Sequence, residues 1–168
     1  MLMIKPLNLL VLMLVLALSS HALAVDTTDE QNPALSVHRY LDKETQRISM
    51  LLEQMQGSDR ITTLQKQYLF AEETRKVFAG METMEHVGQL KSLVENCREA
   101  WNEASRLSKL MYETGLEITF NEGEKKEQLI AEFKVLAKEF AATKPQVLEY
   151  MKNLDIYLKT QIGKSKNT

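Results

Sequence analysis

The stretch from Val87 to Met111 constrains the fold more than any other part of the chain. Taken at spacings of three and four, it runs Val87, Leu90, Val94, Cys97, Trp101, Ala104, Ser108 and Met111, and only Ser108 breaks the apolar or small stripe. Leu93, Leu107 and Leu110 widen the stripe into a face. An apolar face at this period belongs to an amphipathic helix with a broad buried side, so the chain must supply other helices to cover it.

Those helices can be read on either side of it. Asn32-Pro33 has the form of a helix start, with Asn as the cap and Pro where its missing N–H costs nothing. A first helix follows to about Gln56, with Val37, Leu41, Ile48, Leu51, Leu52 and Met55 inward and Gly57 as its stop. Ser58 and Asp59 are the next cap candidates, and the second helix carries Ile61, Leu64, Tyr68, Ala71 and Phe78. The short link predicts antiparallel neighbours. Two readings are open around Gly80 and Gly88: a break near Gly80, or one long bent helix carried through by Val77, Met81, Met84 and Val87. The third helix is expected over about Glu82 to Thr114, ending at Gly115, with Leu116, Ile118 and Phe120 in a loop tucked onto the bundle end. Asn121 and Glu124 have capping-box spacing for a fourth helix carrying Leu129, Phe133, Leu136 and Phe140. Pro145 breaks or kinks it, and a last segment with Val147, Met151, Leu154 and Leu158 ends at Gly163.

The fold expected is therefore all-α, an elongated antiparallel four-helix bundle whose last helix is kinked or split at Pro145, after a cleaved signal peptide. Residues 1–24 have the signal layout: Lys5, an apolar run from Leu7 to Leu18 broken by Asn8, and Ala22-Leu23-Ala24 as an A-x-A cleavage pattern. The run is about 12 residues, short of the roughly 20 that span a bilayer. The plan is a signal peptide (1–24), a disordered N-terminal tail (25–32), the bundle (33–163) and a disordered C-terminal tail (164–168). Cleavage predicts a periplasmic or secreted protein with no stable membrane insertion.

Composition narrows the function classes. The whole chain has a net charge of −2, a weak acidity that argues against a nucleic-acid partner and against binding an anionic membrane surface. With one cysteine, no internal disulfide can form, and the fold must stand on packing. Cys97 lies on the core face and reads as a small buried hydrophobe, with an intermolecular disulfide or a reactive thiol as the alternative. There is no C-x-x-C-H for haem, and where a di-metal bundle wants Glu-x-x-His from two helices, Glu82 and His86 are four apart and occur once. Nucleophile triads, phosphate loops and zinc-protease motifs are absent from the sequence. The expectation is a protein that is not an enzyme and uses no cofactor.

Two short stretches resemble known motifs. Ile61-Thr62-Thr63-Leu64-Gln65, followed by Lys66-Gln67, is similar to the L-T-x-x-Q motif of helical periplasmic stress chaperones, with Ile for the Leu and no second copy. Gln46 to Leu51 is similar to the Q-R-M-L-S motif of four-helix sensor domains in pilus-type chemotaxis transducers, out of register by one inserted residue. Each covers a handful of residues, and no family is assigned on them.

What remains is an exported helical bundle that binds another envelope or secreted protein as an adaptor, inhibitor or assembly factor. The alternatives are a small-ligand sensor or binding bundle and a periplasmic holdase chaperone. Homo-oligomers are compatible with either. The first candidate for a protein-contact surface is Met81, Met84 and His86, where Gly80 and Gly88 loosen the helix and methionines make adaptable contacts. The alternative is that Met81 and Met84 fill the bundle end.

The cleavage pattern predicts a mature N-terminus at Val25. Intact mass of protein purified from the cell envelope or medium checks this, and a species that retains Met1 to Ala24 overturns the export expectation.

Overall fold

The structure is a computed structural model that describes residues 32–55, 57, 59–84 and 88–165. The expected signal segment, nearly all of the N-terminal tail, Gln56, Ser58, His86 and Val87 lie outside these residues. Among the described residues there are four α-helices and no strand: α1 (Pro33–Glu53), α2 (Arg60–Gly80), α3 (Gln89–Phe120) and α4 (Gly123–Ser165).

The two helix starts read from local sequence are built as expected. Asn32 accepts the backbone N–H of Ala34 at 3.0 Å with Pro33 behind it, and Asp59 accepts that of Thr62 at 2.8 Å. Each satisfies a donor that the first helical turn leaves without an intrahelical partner. Of the two readings near Gly80 the break holds. α2 ends there, a 3-10 turn follows over Met81–Thr83, and Gly88 at φ +58° precedes α3.

The boundaries further along differ from expectation. α3 does not stop at Gly115 but runs on to Phe120. A Cβ on Gly115 would lie 2.7 Å from Cδ1 of Leu64, so the glycine permits close approach of α2 and α3 rather than ending a helix. An interior glycine costs only about 1 kcal/mol against alanine, and tertiary packing outweighs it. The alternation of Leu116, Ile118 and Phe120 is not a tucked loop either: they sit in the helix, with Phe120 82% exposed. Asn121 does not open the next helix. Its side-chain amide donates to the carbonyl of Glu117 at 2.8 Å and so closes α3. α4 begins at Gly123, φ +58°, and continues unsplit through Pro145 and through Gly163 to Ser165. Proline inside a helix costs about 3 kcal/mol or more. Here both flanks are anchored, by Leu129 before it and by Val147, Leu154 and Leu158 after it, all buried.

Contacts between helices fix their directions. Tyr40 reaches Val77 and Arg47 reaches Glu73, so α1 and α2 are antiparallel. Gln67 meets Met111 while Glu72 meets Ser105, so α2 and α3 are too. Trp101 meets Met151 and Gly115 lies near Phe133, which makes α3 and α4 antiparallel. α1 returns to α4, where Asp42 feels Asp155. The helices thus form a ring in chain order, in which α2 and α4 face each other across a diagonal and make little direct contact. The predicted stripe is the centre of this ring: Leu90, Val94, Cys97, Trp101, Ala104, Ser108 and Met111 are all buried.

Ionic clasps reinforce the α2 seams. Arg75 and the hydroxyl of Ser105 donate to Glu72, at 2.7 and 2.6 Å. Lys76 and Arg47 donate to Glu73, at 2.7 and 2.8 Å. The Arg75 hydrogen bonds pull the Glu72 carboxyl from an ordinary 4.5 to about 2, aided by Ser105 and opposed by burial. Burial raises the Glu73 carboxyl, but Lys76 and Arg47 outweigh it and hold it low.

This pull predicts acid sensitivity. The carboxylate of Glu72 is held low in the folded state, so its contribution is whole above pH 4.5 and disappears as pH falls through 4.5 toward 2. Urea-unfolding midpoints at neutral pH and at about pH 3 should fall more steeply for the wild type than for Glu72→Gln. Equal losses in both proteins would remove Glu72 from the acid response.

Candidate functional site: an apolar trough between α2, α3 and α4

The ring is not closed along its whole length. α1 packs beside the C-terminal parts of α2 and α4, through Glu73, Val77 and Asp155. Toward the other end, α2, α3 and α4 leave a trough of about 890 Å³ to which α1 contributes no residue. The cause is the diagonal: α2 and α4 each pack on α3 but scarcely on each other.

Its walls follow from helical periodicity. α2 supplies Leu64, Phe70 and Ala71, and α3 supplies Trp101, Ala104, Met111 and Ile118. α4 supplies Ile130, Phe133, Ala137, Phe140, Ala141 and Val147, spaced at three and four so that they share one side. Trp101 meets Phe70 edge to face, with centroids 5.5 Å apart, and its Nε1–H points to the sulfur of Met151 at 3.4 Å. Such an aromatic pair adds about 0.5–1.5 kcal/mol beyond its area burial, and it fixes one end of the trough.

The rim is cationic. Arg60, Lys126, Lys134, Lys138 and Lys144 line it, and among the described residues no Asp or Glu does. The Arg60 guanidinium lies over the Phe133 ring, 5.0 Å from its centroid. Some cations elsewhere on the bundle are paired, as Arg75 is with Glu72, Arg106 with Glu103 and Lys159 with Asp155. Among the described residues, no carboxylate lies within ion-pair distance of the four rim lysines. The arrangement can hold an apolar body and offers positive charge to its exposed end.

Met81 and Met84, singled out from sequence, do not line the trough. Met81 is 0% exposed and belongs to the core, and Met84 is half-buried against it. Glu82 pairs with Arg98, which also holds Glu95 and so ties the 3-10 turn to α3. His86 lies outside the described residues. The rim cations were not singled out. Their signal was present, because positions 126, 130, 134 and 138 advance by four and place Lys126, Lys134 and Lys138 on the flank of Ile130. In sequence that pattern is indistinguishable from an ordinary solvated helix face.

Cys97 is fully buried, and burial pushes its thiol up to about 12. Compared with protein-family models, with curated proteins and with solved structures, the chain matches none of them.

Because only the thiolate reacts, Cys97 should modify slowly with a disulfide reagent such as DTNB in the native protein and rapidly in denaturant. Equal rates would place the thiol at the surface.

Proposed function

We propose that the chain is an exported, non-enzymatic binding bundle of the periplasm or the extracellular space that takes a small apolar guest into the trough between α2, α3 and α4. The observation that carries this reading is the trough itself. Its volume of about 890 Å³ falls within the range of small-molecule sites, about 300–1,000 Å³, and like them it has mostly apolar walls with few polar groups. The unsplit α4 sets one wall, and a bend at Pro145 would tune the trough's width, since proline removes the hydrogen bond to the carbonyl of Ala141 on that wall.

Docking of another protein at Met81, Met84 and His86 is the second reading. It rests on the glycines that loosen this region, and Met81 contributes no exposed surface to it. A holdase role would need a broad apolar surface. Among the described residues, the large apolar side chains that are strongly exposed, Met50, Phe120, Val135 and Ile156, are spread over three helices.

The only tryptophan lies in the trough wall and makes uptake directly observable. N-phenyl-1-naphthylamine, which accepts energy from tryptophan, should bind saturably at one site per chain and quench Trp101. Ala137→Phe, at a half-buried wall position, should weaken that uptake at least tenfold while leaving the melting temperature near that of the wild type. No uptake by the wild type, or uptake unchanged in a folded Ala137→Phe protein, would overturn the proposal.

A further inference from the structure

We propose that the guest is a single-chain amphiphile with an anionic head group, a long-chain carboxylate or its equivalent. Its head is held by Arg60, Lys134 and Lys138, and its tail lies along Leu64, Phe70 and Trp101. The inference rests on the reading of the trough as a small-molecule site and adds the chemistry of what enters it.

Charge carries the first half of the argument. A chain with a net charge of −2 concentrates five cations and no carboxylate on the lining of one apolar cavity. Lys134 and Lys138 stand four apart on one helix, an arrangement of like charges that weakens a helix unless an anion lies between them. Arg60 is stacked on Phe133, the residue before Lys134, so α2 and α4 bring positive charge to the same stretch of rim. An anion held there, beside apolar walls, is less screened than in bulk water.

Shape carries the second half. Ala71, Ala104, Ala137 and Ala141 keep the trough open where larger side chains would fill it. An α-helix with side chains is about 10 Å across, so this volume would hold roughly two turns of one, too little for a helical partner to be gripped along its length. An aliphatic tail needs no hydrogen bonds, and the walls offer it few polar groups, chiefly Thr63, Gln67 and Thr143. A small inorganic anion would use the rim and leave the trough empty, whereas an amphiphile uses both.

Displacement of N-phenyl-1-naphthylamine by dodecanoate, 1-dodecanol and dodecylammonium, each below its micellar concentration, separates head from tail. Wild type should take dodecanoate at least tenfold more tightly than the other two, with the preference shrinking as salt rises. Lys134→Glu combined with Lys138→Glu changes two exposed positions and should abolish or reverse the order, while Lys134→Arg with Lys138→Arg should keep it. Equal displacement by all three heads in the wild type would overturn the anionic-head inference and leave the apolar-guest reading standing. A preference that survives the double Glu variant would overturn the assignment to these lysines. Failure of the naphthylamine itself to bind would remove both. Tighter displacement by an acidic amphipathic peptide than by dodecanoate would replace the amphiphile with a protein partner.

Discussion

Everything in this fold depends on the burial of α3 from two sides. Its stripe from Leu90 to Met111 is shared between α2 and α4, and neither of those helices packs substantially on the other. Each large apolar side chain removed from water there contributes about 1.5–3 kcal/mol, so the seams along α3 hold the ring. With one cysteine, fully buried, no covalent link assists them. α3 is accordingly the common wall of two regions with opposite character: a closed end filled by Phe78, Met81 and Leu158, and an open end lined by Met111 and Ile118.

The difference between those ends comes from α1. Where it lies against α2 and α4, the diagonal gap is filled and sealed by ion pairs such as Arg47 with Glu73. Where it is missing, the same gap becomes the trough. Charge follows the same division. On α2, Glu72 and Glu73 are each surrounded by cations and held as carboxylates, while along the trough the cations stand without carboxylates. A bundle can leave such a field uncompensated at little cost while the lysine heads remain in water and only their stems cover apolar surface. That leaves the charge available to a ligand.

Glycine and asparagine illustrate why local signals divided as they did. Asn32 and Asp59 act within three residues of themselves, so their meaning as caps was legible from neighbours in sequence. Gly115 and Asn121 carried equally plausible local meanings that failed. Gly115 answers to Leu64, some fifty residues away, and Asn121 bonds backward to Glu117 instead of forward. At Met81 two readings were open, a loosened surface beside Gly80 or a filled bundle end, and the 3-10 turn directs it wholly into the core.

The amino-acid sequence by itself determined that the chain is helical, which face of each helix is apolar, where α1 and α2 begin, and that Cys97 and Trp101 lie inward. Those properties arise from periodicity and capping, which act within one helix. Only the tertiary structure decided that α2 and α4 stand apart across α3, that α1 covers the gap at one end alone, and that four lysines of α4 border an apolar cavity rather than plain solvent. The physical reason is that a cavity is made by what fails to fill it. That depends on the relative placement of three helices, and no spacing within a single helix encodes it.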